Sequence, residues 1–260
     1  MRLLQLCRKL VAPFLFVGLV VTCCFSLRAT TMSLIIPCHY KHAPHLYPLL
    51  KAYEKQTVLP DEVVIALSEC DKVDASLLGE LRETPWKFPV IIITSATQKF
   101  AGENRNLACA QAQGDIFVLQ DADDLPHPQR LEIIRYFFTT YDVDHLMHQF
   151  ISMPTEHRRY FFLPYADMGA IPHFWPTHFA EAHLNFIPVG DHAMGGYTHG
   201  NTALRRHVFN SVQWNANRSG QDYDFNQSVY AQFKKVIVLK VPLVVYRHYL
   251  SLTTVRFSRA

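Results

Sequence analysis

The sequence predicts an α/β fold in which a mixed, mainly parallel sheet is flanked by helices and preceded by one hydrophobic N-terminal helix. Short apolar runs without polar alternation recur along the first half of the 260-residue chain, as is typical of strands buried on both faces. Segments with helical spacing of apolar residues lie between them, as expected for the connections of parallel strands. An uncharged segment near the start of the chain predicts the additional helix.

The uncharged segment runs from Leu10 to Leu27 and has basic residues on both sides. Eighteen helical residues span about 27 Å, which is just enough to cross the hydrocarbon core of a membrane. We therefore expect residues 1–31 to be a membrane anchor or a signal-like segment, and the protein to be a single-pass membrane protein. A cleaved signal peptide is one alternative. Another is a translation start at Met32, which would leave the protein in the cytoplasm.

The alternation of strands and helices begins directly behind this segment and continues to about Thr140. Strands are predicted where apolar, β-branched runs occur, at residues 33–37, 62–67, 90–94 and 116–119. Helices are predicted where apolar residues recur with helical spacing, at residues 44–53, 101–113 and 128–138. Gly114 directly follows the second of these helices, where a C-terminal glycine belongs. After residue 140 the pattern becomes irregular and aromatic-rich, until a last strand or strand pair at 235–246.

In a parallel sheet, ligands bind at the carboxyl ends of the strands. The loops after the four predicted strands are therefore the candidate binding loops, at residues 38–43, 68–73, 95–103 and 120–127. A net charge of only +3 and scattered basic residues argue against a nucleic-acid partner. The cysteines behind the N-terminal segment are odd in number and include no C-x-x-C pair, which disfavours a disulfide framework or a zinc knuckle.

Three aspartates, Asp121, Asp123 and Asp124, follow the fourth predicted strand directly. Carboxylates this close repel one another, and their burial at a strand end without a cation would cost free energy. The i, i+2 spacing lets Asp121 and Asp123 face one hard cation, and Mg²⁺ or Mn²⁺ suits oxygen ligands of this kind. Helix capping is the alternative role for Asp124, but capping explains one aspartate and not three.

Five segments, in this order along the chain, resemble glycosyltransferase family 2, the inverting enzymes with the GT-A fold. They are residues 33–37 (SLIIP), 103–106 (ENRN), 114–124 (GDIFVLQDADD), 200–206 (GNTALRR) and 221–225 (QDYDF). Each segment alone is weakly specific, whereas their combined order is strongly so. The resemblance implies a Rossmann-like GT-A domain over residues 32–260, with a nucleotide-sugar half at 32–140 and an acceptor half at 141–260.

The resemblance implies roles for residues of the donor site. In this family the D-x-D carboxylates hold the metal and the donor ribose, which implies Asp123 as a metal ligand, with Asp124 as a secondary candidate. Asp121 is implied as a contact to the ribose or to a metal-bound water. A late histidine often returns to the metal in this fold, which implies His248 as a second ligand, with a structural histidine as the alternative. Arg105 is expected to meet the diphosphate or the nucleobase, unless it is a solvated helix arginine. The implied cofactor is Mn²⁺ or Mg²⁺, and the implied partner is a nucleotide-sugar donor.

The resemblance also implies Asp222 as the general base that removes the proton of the acceptor hydroxyl. Asp224, two residues on, is the competing choice. Pro37 and His39 follow from the first strand and are expected to border the donor pocket. Ser68 is a departure, because it stands where family members commonly carry an acidic residue that contacts the nucleobase. Ser68 is still expected to contact the donor, but uridine as the base is in doubt.

The acceptor half is rich in aromatic residues between positions 160 and 197. Aromatic rings stack on the apolar faces of sugars, but they also fill cores, and core packing is the expected role of most of them. Trp175 is the best candidate for an acceptor platform or a mobile lid, and this segment is also a candidate for contact with a membrane surface. The acceptor itself is left open as a glycan, a lipid or a protein.

The predicted function is therefore transfer of a sugar to a hydroxyl acceptor with inversion, with metal-assisted departure of the diphosphate and an aspartate base. A non-catalytic, membrane-tethered sugar-binding protein is the alternative that the altered Ser68 position favours. A sugar-phosphate nucleotidyltransferase is disfavoured, because the loop at 38–42 lacks the glycines that such an enzyme needs. A zinc site at His39, His42 and His45 is disfavoured too, because the predicted helix start near residue 44 does not put them on one face.

Overall fold

The computed structural model describes residues 30–153, 184–186 and 199–247. The hydrophobic segment at 10–27, Trp175 and His248 lie outside the described residues. Within the described ranges, no helix is both long and apolar enough to span a membrane. The membrane anchor, the acceptor platform and the histidine ligand of a metal therefore stay predictions.

The first half of the chain has the predicted alternation of strands and helices. Its strands are β1 (Met32–His39), β2 (Glu62–Ser68), β3 (Val90–Ser95) and β4 (Ile116–Leu119). Its helices are α1 (Leu46–Tyr53), α2 (Ala75–Glu83) and α3 (Ala101–Gln111). A 3-10 helix at Tyr40–His45 precedes α1, so α1 begins two residues later than predicted.

The first four strands form a parallel sheet in the order β3-β2-β1-β4. In the centre of this sheet, Leu34 of β1 pairs with Val63 of β2 on one side and with Val118 of β4 on the other. All residues of β2 and β4 are buried, as their non-alternating apolar sequences predict. β3 is only partly buried because it lies at the edge of the sheet. Since the four strands are parallel, their carboxyl ends open on the same side.

The second half continues the same sheet but does not keep the parallel direction. Its elements are β5 (Leu125–Pro126), α4 (Arg130–Thr140), β6 (His145–Met153), β7 (Leu184–Phe186), β8 (Thr202–Arg205), α5 (Arg206–Ser211), α6 (Gln221–Gln232) and β9 (Val236–Arg247). The order continues from β4 as β8-β6-β9-β5, and β7 also pairs with β9. β8 is antiparallel to β4 and β6, whereas β6 and β9 are parallel. The sheet is mixed as predicted, but it is mainly parallel only over its first four strands.

Two hydrophobic cores lie on opposite faces of the sheet, because successive side chains of a strand alternate between its faces. In β1, Leu34 and Ile36 enter the core beneath α1 and α4, whereas Ile35 enters the core beneath α3 and α6. The second core contains the stacked rings of Trp214 and Phe225, whose centroids are 4.0 Å apart. This stack fixes the beginning of α6 against the loop that precedes it.

Gly114 does not have the role of helix cap that its position predicted. α3 ends at Gln111, and Ala112 is the C-cap residue in an extended conformation. A Cβ atom on Gly114 would lie 2.5 Å from Oγ of Ser33. Glycine is needed here because the turn before β4 packs directly against the start of β1.

Candidate active site

A cavity of about 710 Å³ opens at the carboxyl ends of β1, β2 and β4. All four predicted binding loops contribute to its lining. His39 belongs to the first, Glu69 to the second, Lys99 to the third and Asp121 to the fourth, and Pro37 lines the cavity from the end of the first predicted strand. The beginning of α6 closes the cavity on the side of the second half of the chain. The rule that ligands bind at strand carboxyl ends therefore located this cavity from the sequence.

Arg105 of α3 joins two carboxylates at this cavity. Its Nη2 donates to Oδ1 of Asp121 at 2.8 Å, and its Nη1 donates to Oδ1 of Asp222 at 3.0 Å. The guanidinium side chain is 3% exposed, whereas the two carboxylate side chains are 22% and 27% exposed. Arg105 is therefore not a solvated helix arginine. One buried cation brings together two aspartates that the resemblance assigned to separate roles.

Asp222 is held in its charged form by its surroundings. Burial raises the pKa of its carboxyl group, but His199 and Arg105 outweigh burial and hold that pKa well below its usual range. The backbone N–H of His199 donates to Oδ2 at 3.3 Å, and Nδ1 of the same residue lies 2.9 Å from Oδ1. The indole N–H of Trp214 also points to this Nδ1, while Nε2 contacts the side-chain oxygen of Asn226 at 3.2 Å. The carboxylate of Asp222 thus contacts the completely buried imidazole ring of His199.

Asp224 does not line the cavity. Its Oδ2 accepts a hydrogen bond from Nδ2 of Asn215 at 2.7 Å. The N-cap of α6 is Gly220, whose φ of 77° turns the chain into the helix, so neither aspartate caps it. Two residues along a helix correspond to a rotation of about 200°, which directs Asp222 and Asp224 to different sides. Of the two candidate bases, the geometry favours Asp222.

The acidic loop after β4 is fixed by hydrogen bonds to its backbone. The side-chain amide of Gln120 donates to the carbonyl oxygens of Asp121 at 2.8 Å and Asp124 at 3.3 Å, and Nε of Arg247 donates to the carbonyl oxygen of Asp123. The backbone N–H of Arg247 donates to Oδ1 of Asp124 at 3.0 Å. Asp124 therefore binds the end of β9 and does not cap α4, which has another N-cap residue.

The chemistry of this loop suits a divalent cation. Burial and repulsion between carboxylates raise the pKa of Asp123, and they raise that of Asp124 well above its usual range. Oδ2 of Asp124 has no hydrogen-bond partner among the described residues, and Nδ1 of His42 lies 3.7 Å from Oδ2 of Asp123. Those described residues contain no group of three or more His, Cys, Asp or Glu placed to hold a metal alone. The carboxylates therefore fit an open site that oxygens of a ligand would complete.

Ser68 lies behind the wall of the cavity. It is completely buried, and its hydroxyl group lies 3.5 Å from the carbonyl oxygens of Cys38 and Lys99 and accepts a hydrogen bond from Nδ2 of Asn104 at 3.2 Å. These contacts join the ends of β1 and β2 to the loop before α3. The donor contact expected of Ser68 does not fit this burial, because its polar atom is directed to backbone groups of the wall.

Glu69 presents the carboxylate at this end of β2. Its φ of 54° is in the left-handed region, which is uncommon for a residue with a side chain and often marks a functional position. Oε2 of Glu69 lies 2.6 Å from Nε2 of His39, and Nζ of Lys72 donates to Oε1. The hydrogen bond from Lys72 lowers the pKa of Glu69. His39 thus lines the cavity, as expected, through a contact with a carboxylate.

Gly200 brings the second half of the chain against Asp121. A Cβ atom on Gly200 would lie 2.7 Å from Oδ2 of Asp121, so glycine leaves room for this carboxylate. The carbonyl oxygen of Gly200 accepts a hydrogen bond from Nη2 of the buried Arg130 at 2.8 Å. The segment at 200–206 was singled out in the sequence, but the adjacent His199 was not. A histidine that supports a distant aspartate has no local sequence pattern, and only its place beside this segment was a signal.

Comparison with known proteins relates this chain to glycosyltransferases. A family model described as "Glycosyl transferase family 2" matches residues 33–212. Among curated proteins, an uncharacterized glycosyltransferase of Haemophilus influenzae (strain ATCC 51907 / DSM 11121 / KW20 / Rd) is 30% identical over 101 residues. The aligned part covers 39% of this chain and 32% of the relative.

Two solved structures with a similar fold have low sequence identity to this chain. TarS of S. aureus (residues 1–349) has a TM-score of 0.64 and 16% identity, covering 84% of this chain and 60% of that one, and was also solved with UDP and with UDP-GlcNAc. The mannosyltransferase PcManGT from Pyrobaculum calidifontis, in complex with GDP-Man and Mn²⁺, has a TM-score of 0.56 and 13% identity, covering 85% and 57% of the two chains. The chain therefore spans less than two thirds of each solved neighbour, and the likeness concerns the fold.

Proposed function

The chain belongs to glycosyl transferase family 2, and from this premise we propose that it transfers a sugar from a nucleotide-sugar donor to a hydroxyl group of an acceptor, with inversion. The family model covers 180 of the 260 residues, from 33 to 212. The curated relative is named as a glycosyltransferase and PcManGT as a mannosyltransferase. The family predicted from five sequence segments is thereby confirmed.

The observation that supports this activity best is the bridge from Asp121 through Arg105 to Asp222. The bridge places an acidic loop at a strand end beside a charged carboxylate from α6, in one cavity of about 710 Å³. A cavity of this size is in the range of small-ligand sites. A transferase needs both groups within one substrate complex, the first at the leaving diphosphate and the second at the attacking hydroxyl group.

Asp222 is in the unprotonated form that a general base requires. Because its pKa lies well below the usual range, it is unprotonated at neutral pH and can accept a proton. In the proposed reaction, the acceptor oxygen forms a bond to the anomeric carbon as the bond from that carbon to the diphosphate oxygen breaks. The proton of the acceptor hydroxyl group passes to Asp222. Arg105 and His199 hold this carboxylate in place, since both contact it directly.

The acidic loop would hold the metal that the family commonly uses. Asp123 is the proposed direct ligand, and Asp121 the proposed contact to the donor ribose or to a metal-bound water. A divalent ion such as Mn²⁺ or Mg²⁺ stabilises negative charge on a departing diphosphate as a Lewis acid. The presence of Mn²⁺ in the PcManGT complex supports this choice.

The donor is proposed as a nucleotide sugar without a named base. TarS was solved with UDP-GlcNAc and PcManGT with GDP-Man, so the solved neighbours themselves differ in nucleobase. Glu69 and His39 are among the polar groups that line the cavity at the ends of β1 and β2. A carboxylate can only accept hydrogen bonds, so it selects ligands that carry N–H or O–H groups. We therefore propose that Glu69, in place of Ser68, contacts the nucleotide sugar.

The experiment is a donor screen on the full-length protein in detergent. A panel of nucleotide sugars is incubated with Mn²⁺ or Mg²⁺, and nucleotide release is measured. We expect release from one donor, its loss in EDTA, and its loss in Asp123→Ala. The Asp222→Asn variant should transfer sugar at least about a thousandfold more slowly, because the base is removed while the shape is kept.

Asp224→Asn is the matched control, because Asp224 lies two residues away and bonds Asn215 outside the cavity. It should retain the activity of the wild-type protein. Equal activity of the Asp222→Asn and wild-type proteins would rule out the proposed base. The absence of metal-dependent nucleotide binding and release across the whole panel would favour the non-catalytic alternative.

A further inference from the structure

Arg218 lines the cavity with a guanidinium group that makes no hydrogen bond or ion pair to any described residue. It is exposed and lies in the loop between α5 and α6, four residues before Asp222. Other arginines near the site are engaged: Arg105 binds two aspartates, and Nε of Arg247 binds a backbone carbonyl oxygen. Arg218 is therefore a cation available to a ligand in the cavity.

The loop that presents Arg218 is fixed at its base. Nδ2 of Asn106 in α3 donates to the carbonyl oxygen of Trp214 at 2.8 Å, and the N–H of Trp214 donates to Oδ1 of Asn106 at 3.1 Å. Nδ2 of Asn215 donates to Asp224 at 2.7 Å, which ties the loop to α6. Oδ1 of Asn215 also accepts the N–H of Asn217 at 3.0 Å. Arg218 thus lies about three residues beyond a turn that these hydrogen bonds hold in place.

Three of the four carboxylates that line the cavity, those of Glu69, Asp121 and Asp222, already have cationic partners. Asp121 and Asp222 share Arg105, and Glu69 contacts His39 and Lys72. The loop from residue 212 to residue 220 contains no acidic residue that could pair with Arg218. The charge of Arg218 is therefore not balanced from within its own loop, nor by those three carboxylates of the cavity.

Gln221 adds a polar side chain on the same side of the cavity. The residue is 8% exposed and lines the cavity, and its Oε1 has no hydrogen-bond partner among the described residues. Arg218, Gln221 and Asp222 therefore present a cation, an amide and a charged carboxylate to the cavity within five residues of sequence.

We propose that the acceptor carries an oxyanion, a phosphate or a carboxylate group, beside its reactive hydroxyl group, and that Arg218 determines this specificity. This inference rests on the proposed function and names the class of its acceptor. A guanidinium group binds the oxygens of a phosphate or carboxylate through two parallel, charge-assisted hydrogen bonds, whereas a neutral sugar offers only uncharged hydroxyl oxygens. Asp222 then meets the hydroxyl group while Arg218 holds the anion.

The test compares paired acceptors on the full-length protein with the donor found in the screen. The pairs are methyl glucoside with methyl glucuronide and glycerol with glycerol 1-phosphate, which separate a carboxylate from a phosphate. We expect kcat/KM for the anionic member of at least one pair to exceed that of the neutral member about tenfold or more. In Arg218→Gln this ratio should fall about tenfold, and Arg218→Lys should restore part of it.

Arg82→Gln is the matched control, because Arg82 is also exposed but lies on α2 and does not line the cavity. It should keep the wild-type ratio. A ratio that is the same in Arg218→Gln and Arg82→Gln, or a preference for the neutral acceptors, would overturn the proposal.

A second measurement separates failure of this proposal from failure of the proposed function. Inorganic phosphate is titrated calorimetrically into the protein while a nucleoside diphosphate and Mn²⁺ are present in excess to fill the donor site. We expect phosphate binding that is at least about tenfold weaker in Arg218→Gln than in Arg82→Gln. Equal binding by both variants contradicts the role of Arg218, whether or not any donor is turned over.

Discussion

Two buried arginines on neighbouring parts of this fold have opposite kinds of hydrogen-bond partners. Arg130 of α4 is completely buried and bonds only neutral acceptors, whereas Arg105 of α3 bonds two carboxylates that are partly open to the cavity. The acceptors of Arg130 are the carbonyl oxygens of Leu119 and Gly200, Oε1 of Gln120, the hydroxyl group of Tyr53 and Nε2 of His148, at 2.7 to 3.1 Å. Nε of Arg105, by contrast, has no hydrogen-bond partner among the described residues.

The difference separates structure from function. All nitrogen atoms of the Arg130 guanidinium have partners, so it can only hold the strands beneath the acidic loop. The partners of Arg105 are the aspartates proposed to meet donor and acceptor, so its bonds can change when substrates bind. Removing a buried charge that bonds only neutral groups costs much stability. A buried charge paired with partly exposed carboxylates is, by contrast, typical of a functional site.

The most severe test of this contrast is Arg130→Met. The substitution leaves several buried acceptors without a donor, and we expect the free energy of unfolding to fall by about 4 kcal/mol. Arg135→Met on the same helix is the control, because the partly exposed ion pair of Arg135 with Asp61 is worth less than about 1 kcal/mol. Urea denaturation followed by circular dichroism measures both. Equal losses in the two variants would mean that the Arg130 network is not a structural one.

Arg105→Lys tests the other side of the contrast. Lysine keeps the charge but cannot reach both carboxylates with a planar fork, so we expect kcat/KM to fall about a hundredfold. The free energy of unfolding should change by only about 1 kcal/mol, since Asp121 and Asp222 stay partly solvated. Steady-state kinetics and urea denaturation on the same preparation give both numbers. A large loss of stability with little loss of activity would reverse the assignment.

The two histidines of β6 extend the comparison to pH. His148 accepts a hydrogen bond from Arg130, whereas both ring nitrogens of the buried His145 have no partner among the described residues. Burial lowers the pKa of His145 to about 3, while in the unfolded chain it is about 6.5. The unfolded state therefore binds the proton first as the pH falls, and stability decreases between about pH 6.5 and pH 3.

His145→Leu should remove this part of the acid sensitivity. At pH 5 the wild-type protein should have lost about 2 kcal/mol to this histidine relative to pH 7, and the variant should lack that loss. Urea denaturation at a series of pH values gives the slope. Parallel curves for the variant and the wild-type protein would show that His145 is not the group responsible.

Gly200→Ala probes the junction of the two arginine networks with the smallest expected effect. The added methyl group would displace Oδ2 of Asp121, and we expect kcat/KM to fall about tenfold as the contact to Arg105 is disturbed. Gly79→Ala is the control, because a Cβ atom at this helical position meets nothing within 4 Å. Activity that is equal in the two alanine variants would show that Asp121 tolerates the shift.

The sequence predicted the parts of the molecule that depend on local pattern. The apolar runs fixed the first four strands, and the carboxyl-end rule placed Asp121 and Asp123 at a cavity. The antiparallel insertion of β8 between β4 and β6 was not predictable in this way, because strand pairing over long distances leaves no periodic signal. Similarly, the choice between Asp222 and Asp224 required knowing that α6 begins at Gln221.

The role of a buried side chain was harder to predict than its presence. Arg105 was singled out from its segment, but its two partners are separated from it by 16 and 117 residues. The sequence predicts a donor contact at Ser68, whereas the left-handed turn at Glu69 puts the carboxylate that lines the cavity one residue further on. Such outcomes depend on tertiary packing and backbone conformation, which a single sequence does not display.

The hydrogen bonds between Arg247 and the acidic loop also bear on the order in which the chain folds during synthesis. Arg247 follows Asp124 by 123 residues, and at a translation rate of about 5–20 residues per second it is made roughly 6 to 25 s later. During that interval the nascent chain exposes clustered carboxylates whose backbone partner does not yet exist. A ribosome-bound chain is therefore expected to complete its first four strands before its active site. The active site is completed only when β9, which supplies Arg247, joins the sheet.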